Sequence, residues 1–106
     1  MKSEGFFILG CFEGEKLVGA VAIRDFCHVS LLFVDKAYQH RGIAKELFAK
    51  ALAICIHEDP ELDGITVNSS PYAVPIYKRL GFEVIGESTT NDGITFVPMK
   101  KSILKP

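Results

Sequence analysis

The sequence has no excess charge of either sign, no paired-cysteine motif and no long apolar run, and each absence excludes a class of function. Twelve basic and thirteen acidic residues leave a net charge of −1. With both signs mixed along the chain, there is no whole-molecule field to hold nucleic acid or an anionic membrane, so an anion would have to be bound at a local site. The three cysteines, Cys11, Cys27 and Cys55, form no CxxC pair and sit in apolar stretches, which reads as buried, reduced thiols in an intracellular protein. His28, His40 and His57 are scattered with no second ligand at helical spacing, so no metal site is expected. No apolar run approaches the roughly 20 residues that cross a bilayer. The N-terminal Met1-Lys2-Ser3-Glu4-Gly5 lacks the apolar core of a signal peptide, and the expected location is the cytoplasm.

What is present is enough apolar sequence for one packed domain over residues 1–106. Apolar residues make up 48% of the chain and charged ones 24%, a balance that favours a core over disorder. There is no repeat, linker or low-complexity tract. Phe6 to Phe12 and Leu17 to Ile23 are apolar and β-prone and flank Glu13-Gly14-Glu15-Lys16, a hairpin pattern. A third run, Val29 to Val34, contains the continuously apolar Leu31-Leu32-Phe33-Val34, the pattern of a strand buried on both faces.

The period then changes. Ile43, Leu47, Ala51, Ile54 and Cys55 share one helical face and Lys45, Glu46, Lys50 and Glu58 fall mostly on the other, predicting a helix from about Gly42 to His57. Ile65-Thr66-Val67 is a short strand. Ser70 with Pro71 opens a second helix and Gly81 closes it, but Pro75 delays its regular part to Ala73 or Val74. Two further strands, Phe82 to Glu87 and Ile94 to Met99, are joined through Asn91-Asp92-Gly93, a hairpin signal. The order β-β-β-α-β-α-β-β implies a mixed, mostly antiparallel α/β sheet.

The junction Phe33-Val34-Asp35-Lys36-Ala37-Tyr38-Gln39-His40-Arg41-Gly42-Ile43-Ala44-Lys45 feeds a buried strand through a tight loop into a helix. The first N–H groups of a helix have no intrahelical partner and carry partial positive charge, which suits a phosphate or pyrophosphate. Gly42 lets such a group approach the backbone with no Cβ in the way, and His40, Arg41 and Lys45 add donors or charge. A glycine at a helix start is also ordinary in α/β proteins, and the loop is neither a Walker A loop nor a GxGxxG fingerprint.

The segment Gln39-His40-Arg41-Gly42-Ile43-Ala44 resembles the Q/R-x-x-G-x-G/A signature of the GCN5-related N-acetyltransferases (GNATs). Farther along, Asn68, Ala73, Tyr77 and the closing Leu80-Gly81-Phe82 resemble the second half of that family's pattern, and the resemblance runs from about Phe6 to the end of the chain. It implies a sheet whose strands splay at Phe33-Val34 and Val67-Asn68 to take the pantetheine arm of acetyl-CoA. The pyrophosphate would sit on the N–H groups of His40, Arg41, Gly42, Ile43, Ala44 and Lys45. It also implies direct acetyl transfer to a small-molecule or protein amine, a main-chain N–H near Val34 polarising the thioester oxygen, and Tyr77 as the acid for the departing thiolate. Several family members carry a glutamate base six residues ahead of the position matching Val34, where this chain has His28; Asp25 and Glu13 are weaker candidates. Family members also begin with a strand and two helices that this sequence does not show. The acceptor half is therefore open, and exposed sheet surface would favour a dimer. The alternative reading is a non-catalytic acyl-CoA-binding module that needs a partner chain. Tyr38, Tyr72 and Phe26 are ring-bearing residues to which no role is assigned.

Overall fold

A computed structural model describes residues 5–103. The described residues form two compact units, one up to Leu62 and one from Asp63 onward.

The first unit is a three-stranded antiparallel sheet carrying one long helix. Strands β1 (Phe6–Glu13), β2 (Lys16–Arg24) and β3 (His28–Val34) pair in that order, and α1 (Ile43–Glu58) follows. The hairpin expected around Gly14 forms, with Glu13 opposite Lys16 and Gly14 at φ 61°. Two bulges adjust the faces. Cys11 pairs with Gly19 but Phe12 with Leu17, so Val18 is the extra residue on β2; Ala22 pairs with Leu31 but Ile23 with Val29, so Ser30 is extra on β3.

The helix lies on the face of β2 that bears Gly19. A Cβ on Gly19 would stand 3.1 Å from Ile43 Cγ2 and 3.3 Å from Leu47 Cδ1, so the missing side chain is what lets the helix settle this close. Below it Val18, Val21 and Ile23 are buried, and α1 contributes Leu47, Phe48, Ala51 and Cys55 to the same core. The strand buried from both sides is therefore β2. Strand β3, expected to be so, leaves Leu31 and Phe33 exposed on the face opposite α1, where their small cross-strand neighbours Ala22 and Ala20 of the central strand β2 are buried. The cysteines form no disulfide, but only Cys55 is buried; Cys11 and Cys27 are half-buried, since their positions on β1 and in the turn before β3 lie at the margin of the core.

In the second unit β4 (Gly64–Ser69) leads to α2 (Val74–Arg79), and then to β5 (Glu83–Val84), β6 (Thr89–Asn91) and β7 (Ile94–Ser102). Strand β7 pairs antiparallel with β4, β5 and β6. The strand expected over Phe82 to Glu87 shrinks to two residues, and part of the expected loop is instead β6. The Asp92-Gly93 pair supplies two left-handed residues, φ 54° and 80°, the geometry of a two-residue hairpin turn with Asn91 opposite Ile94. The late helix start is as expected: Ser70 Oγ accepts from Ala73 N at 3.2 Å over a 3₁₀ turn, and Pro75 occupies an early helical position where its missing N–H has no role.

Candidate functional site

The loop between β3 and α1 is built from local bonds. Asp35 caps a short 3₁₀ turn, its carboxylate accepting from Ala37 N at 2.9 Å, and Asp35 N donates to Val18 O at 2.7 Å. Gln39 Nε2 donates to Val34 O at 3.1 Å and ties the middle of the loop to the strand end. The amide NH₂ of this predicted ligand residue thus serves to close the loop. Tyr38 lies under two cations, the Arg41 guanidinium 4.9 Å and Lys16 Nζ 5.5 Å from its ring centre. Lys16 also pairs with Asp35 at 3.7 Å. Of these supports, Lys16 and Asp35 were not anticipated from sequence. The Asp-x-Ala spacing of an Asx turn was the one available signal for Asp35; Lys16 comes from another strand.

The loop then turns into the helix through His40 at φ 66° and Gly42 at φ 83°, both left-handed, on either side of Arg41, which is not. A backbone that alternates in this way gathers successive N–H groups into one concavity. Gly42 is the N-cap residue of α1, gives it no side-chain cap, and has nothing within 4 Å of where its Cβ would stand. The N–H groups of Ile43, Ala44 and Lys45 are the first-turn donors, and an anion there would meet them and the positive end of the helix. The single acid of that turn, Glu46, pairs with Lys50 at 3.6 Å.

The end of β3 has a second property. The Asp35–Val18 bond makes 18–35 and 20–33 hydrogen-bonded pairs of the β2–β3 ladder and makes Gly19–Val34 a non-bonded one. The N–H and C=O of Val34 therefore point away from β2. In the second unit Asn68 stands opposite Pro98, whose carbonyl accepts from Ile85 N at 3.0 Å on the β5 side. By the same parity Asn68 turns its backbone groups away from β7. Its side chain lines an open groove of about 250 Å³ with Thr89, Asn91, Phe96 and Pro98.

Tyr77 is fixed by the end of α2. Gly81, at φ 103°, donates to Lys78 O at 3.0 Å, and Phe82 N donates to Tyr77 O at 3.0 Å, the paired bonds of a Schellman motif. The apolar contact that accompanies this motif is the edge-to-face pair of Tyr77 and Phe82, with ring centres 5.3 Å apart. Tyr…Leu-Gly-Phe is thus a single device: the glycine permits the turn and the phenylalanine holds the tyrosine ring. Tyr77 is buried, and that burial raises its phenol above the usual 10.

His28 opens β3, six residues and about 20 Å of strand from Val34. Burial lowers its pKa below 6.5, the Arg24 charge adds to that, and Asp25 opposes it. The imidazole is therefore neutral and able to accept a proton at pH 7. The type I′ turn before it holds Asp25 and Phe26 at φ 57° each and stacks Phe26 on Phe7 with ring centres 5.9 Å apart. Glu13 lies at the far hairpin end of β1. Cys55 is fully buried, and burial, with Cys27 nearby, pushes its thiol up to about 11, which leaves it inert as a nucleophile. Among the described residues no cluster of three His, Cys, Asp or Glu is placed to hold a metal ion, and no helix is long and apolar enough to cross a membrane.

Residues 1–103 match the family model described as an acetyltransferase (GNAT) domain. No curated protein matches the chain. Among solved structures, a GCN5-related N-acetyltransferase from Rhodopseudomonas palustris superposes with a TM-score of 0.80 at 18% identity, over 92% of this chain and 62% of that one. An acetyltransferase from Bacillus cereus gives 0.79 at 20% identity, over 96% and 76%. The PaiA N-acetyltransferase of Thermoplasma acidophilum, solved in complex with coenzyme A, gives 0.71 at 21% identity, over 92% and 61%. The chain thus spans about three fifths of the Rhodopseudomonas and Thermoplasma proteins. At these identities the likeness shows the fold.

Proposed function

The chain belongs to the GNAT acetyltransferases, and from that premise we propose that it moves an acetyl group from acetyl-CoA to an amine by direct attack. The observation that carries this reading is the start of α1: an uncapped helix N-terminus behind a left-handed Gly42, with open space at its Cβ position and Arg41 fixed beside it on Tyr38. The residues present fit a pyrophosphate. They supply main-chain donors on Ile43, Ala44 and Lys45, a guanidinium, and no unpaired acid in the first turn.

Acetyl-CoA supplies the thioester; the chain supplies orientation and proton transfer. The outward N–H of Val34 is the donor for the thioester oxygen as negative charge grows on it, and a main-chain dipole that is already aligned needs no reorganisation. The outward backbone groups of Val34 and the backbone groups of Asn68 are those proposed for the pantetheine amides; Phe33, expected to join them, is in a hydrogen-bonded pair with Ala20 and turns its backbone groups towards β2 instead. His28, neutral at pH 7, takes the proton from the incoming ammonium. The roughly 20 Å of β3 between His28 and Val34 excludes direct contact, so this proton transfer requires a chain of several waters. The amine nitrogen then bonds to the acetyl carbon, the carbon–sulfur bond breaks, and Tyr77 O–H protonates the departing thiolate. The proton lost from the acylated nitrogen balances that donation through solvent. Burial of Cys55 and its raised pKa favour direct transfer over an acyl-cysteine route.

The test is calorimetric titration of the 106-residue chain with acetyl-CoA, followed by a thiol-release assay across small and peptide amines. Binding followed by amine-dependent thiol release supports the proposal. Binding with no release from any amine turns the reading to an acyl-CoA-binding module. Absence of binding rejects both.

A further inference from the structure

The open groove of the second unit takes no part in the chemistry of acetyl transfer, and the strand register builds it. Ile94, Phe96 and Pro98 alternate to one face of β7. Their cross-strand partners share that face: Asn68 of β4 opposite Pro98 on one side, and Thr89 and Asn91 of β6 opposite Phe96 and Ile94 on the other. The groove of about 250 Å³ therefore straddles β7, with Phe96 and Pro98 as its floor, Asn68 as one wall, and Thr89 and Asn91 as the other. The walls stand two strand spacings apart, about 10 Å. That leaves room for a single ring lying on the floor, with substituents directed to both sides.

The chemistry of the lining selects the occupant. None of these five residues is charged, so a carboxylate, phosphate or ammonium in the groove would meet no opposite charge. The polar groups are two carboxamides and a hydroxyl, which can each donate and accept. They are also unclaimed: no hydrogen bond joins the side chains of Asn68, Thr89 or Asn91 to any described residue. On the opposite face of the same two strands, by contrast, the Thr90 and Thr95 hydroxyls bond each other at 2.8 Å. Hydroxyl groups donate and accept in the same way and match such walls. Phe96, 37% exposed among polar neighbours, offers the C–H side of a saturated ring a surface to cover. A nucleobase is held between two flat or apolar groups, and Phe96 is the one aromatic ring among the five.

We propose that this groove binds an uncharged ring bearing several hydroxyl groups, a monosaccharide or cyclic polyol, and that it holds the body of the acceptor with the amino group outside the uncharged walls. The second half rests on the acetyl-transfer reading. Asn68 lines the groove with its side chain and turns its backbone groups, those proposed for pantetheine, away from β7, so one residue serves both cofactor and acceptor. The acceptor class is then a hydroxylated cyclic amine and not a protein lysine.

The experiment measures thiol release from acetyl-CoA with glucosamine and with cyclohexylamine, a ring amine without hydroxyls. It uses the full wild-type chain, Thr89→Val and Asn91→Leu, substitutions that keep the shape of the side chain and remove its hydrogen bonding. Both positions are exposed, and circular dichroism checks that each variant is folded. The wild type should favour glucosamine by about tenfold or more in kcat/KM, the upper worth of one hydrogen bond, and each variant should lose most of that preference. No preference in the wild type, or a preference that both folded variants retain, overturns the acceptor assignment. Binding is read separately by nitrogen–proton NMR with glucose, which has no amine to acetylate. Shifts at the side-chain amides of Asn68 and Asn91 are expected, and their absence overturns the groove as a site. Glucose shifts without thiol release from any amine keep the groove and reject the acetyl-transfer reading; thiol release from lysine peptides without glucose shifts does the reverse.

Discussion

Two helical segments of this chain begin in opposite ways. The turn leading to α2 is capped from its own sequence, Ser70 Oγ accepting from Ala73 N at 3.2 Å. Helix α1, more than twice as long, begins at Gly42, which has no side chain to offer and stands in the left-handed region where few other residues settle. Serine is among the preferred N-caps and glycine is tolerated, so the difference is small as a matter of stability. As a matter of chemistry it is large. The Ser70 end has used a donor internally, while the Gly42 end has no side-chain cap for its first-turn N–H groups and open space where a Cβ would stand. The contrast suggests that the second start serves the fold and the first serves a ligand.

The largest expected effect tests the ligand side of that contrast. Gly42→Glu puts a carboxylate where the pyrophosphate is assigned and forces a side chain into a left-handed backbone. The strain costs about 1–2 kcal/mol, and like-charge repulsion at the donors adds to the loss. Calorimetry should show affinity for CoA falling by a factor of about 100 or more while the far-UV spectrum is retained, since no atom lies within 4 Å of the new Cβ. Retained binding would remove the first-turn donors of α1 from the proposed function.

Tyr77→Phe comes next. Its ring would still pack on Phe82 and the Schellman bonds of the backbone would remain, so CoA affinity should hold. If the phenol protonates the leaving thiolate, kcat should fall by about 100-fold. With its pKa raised above 10, Tyr77 keeps its proton across neutral pH, and the alkaline limb of the rate profile belongs above 10.

A smaller effect concerns His28. Its native pKa lies below 6.5, so the neutral form is favoured in the folded chain. The stability this contributes is present above 6.5 and is lost as pH falls through the native value. The acid limb of kcat/KM should accordingly lie below 6.5, shaped by Arg24 and Asp25, and His28→Gln should abolish that limb with a loss of about tenfold at pH 7. An unchanged limb in the variant would transfer the base to another residue or to water.

How much of this was legible beforehand depended on whether the cause was local. The Gly42 start, the Ser70 cap, the turn at Asp92-Gly93 and the Gly81 end of α2 are set by a few adjacent residues, and each is where the sequence indicates. The exposure of Leu31 and Phe33 was not legible, because an apolar run records what a strand offers for burial and says nothing of whether a layer exists to bury it. Nor were the bulges at Val18 and Ser30, which are properties of a pair of strands. In the site, the loop residues were readable from their order. The ties of Gln39 to Val34 and of Lys16 to Asp35 and Tyr38 depend on the fold bringing them together.

The smallest effect probes the capped start, and it is informative because it should leave the ligand site alone. Ser70→Ala removes the side-chain acceptor for Ala73 N and leaves its 3.1 Å bond to the Ser70 carbonyl, and loss of an N-cap costs about 1 kcal/mol. In a chain of this size that corresponds to a melting point lower by roughly 4–8 °C. Since Ser70 is assigned no ligand contact, CoA affinity measured well below the melting point should stay within about twofold of wild type. A large loss of affinity in Ser70→Ala would mean that the order of the turn after β4 is itself needed to hold the cofactor, and the division between a start that serves the fold and one that serves the ligand would fail on its structural side.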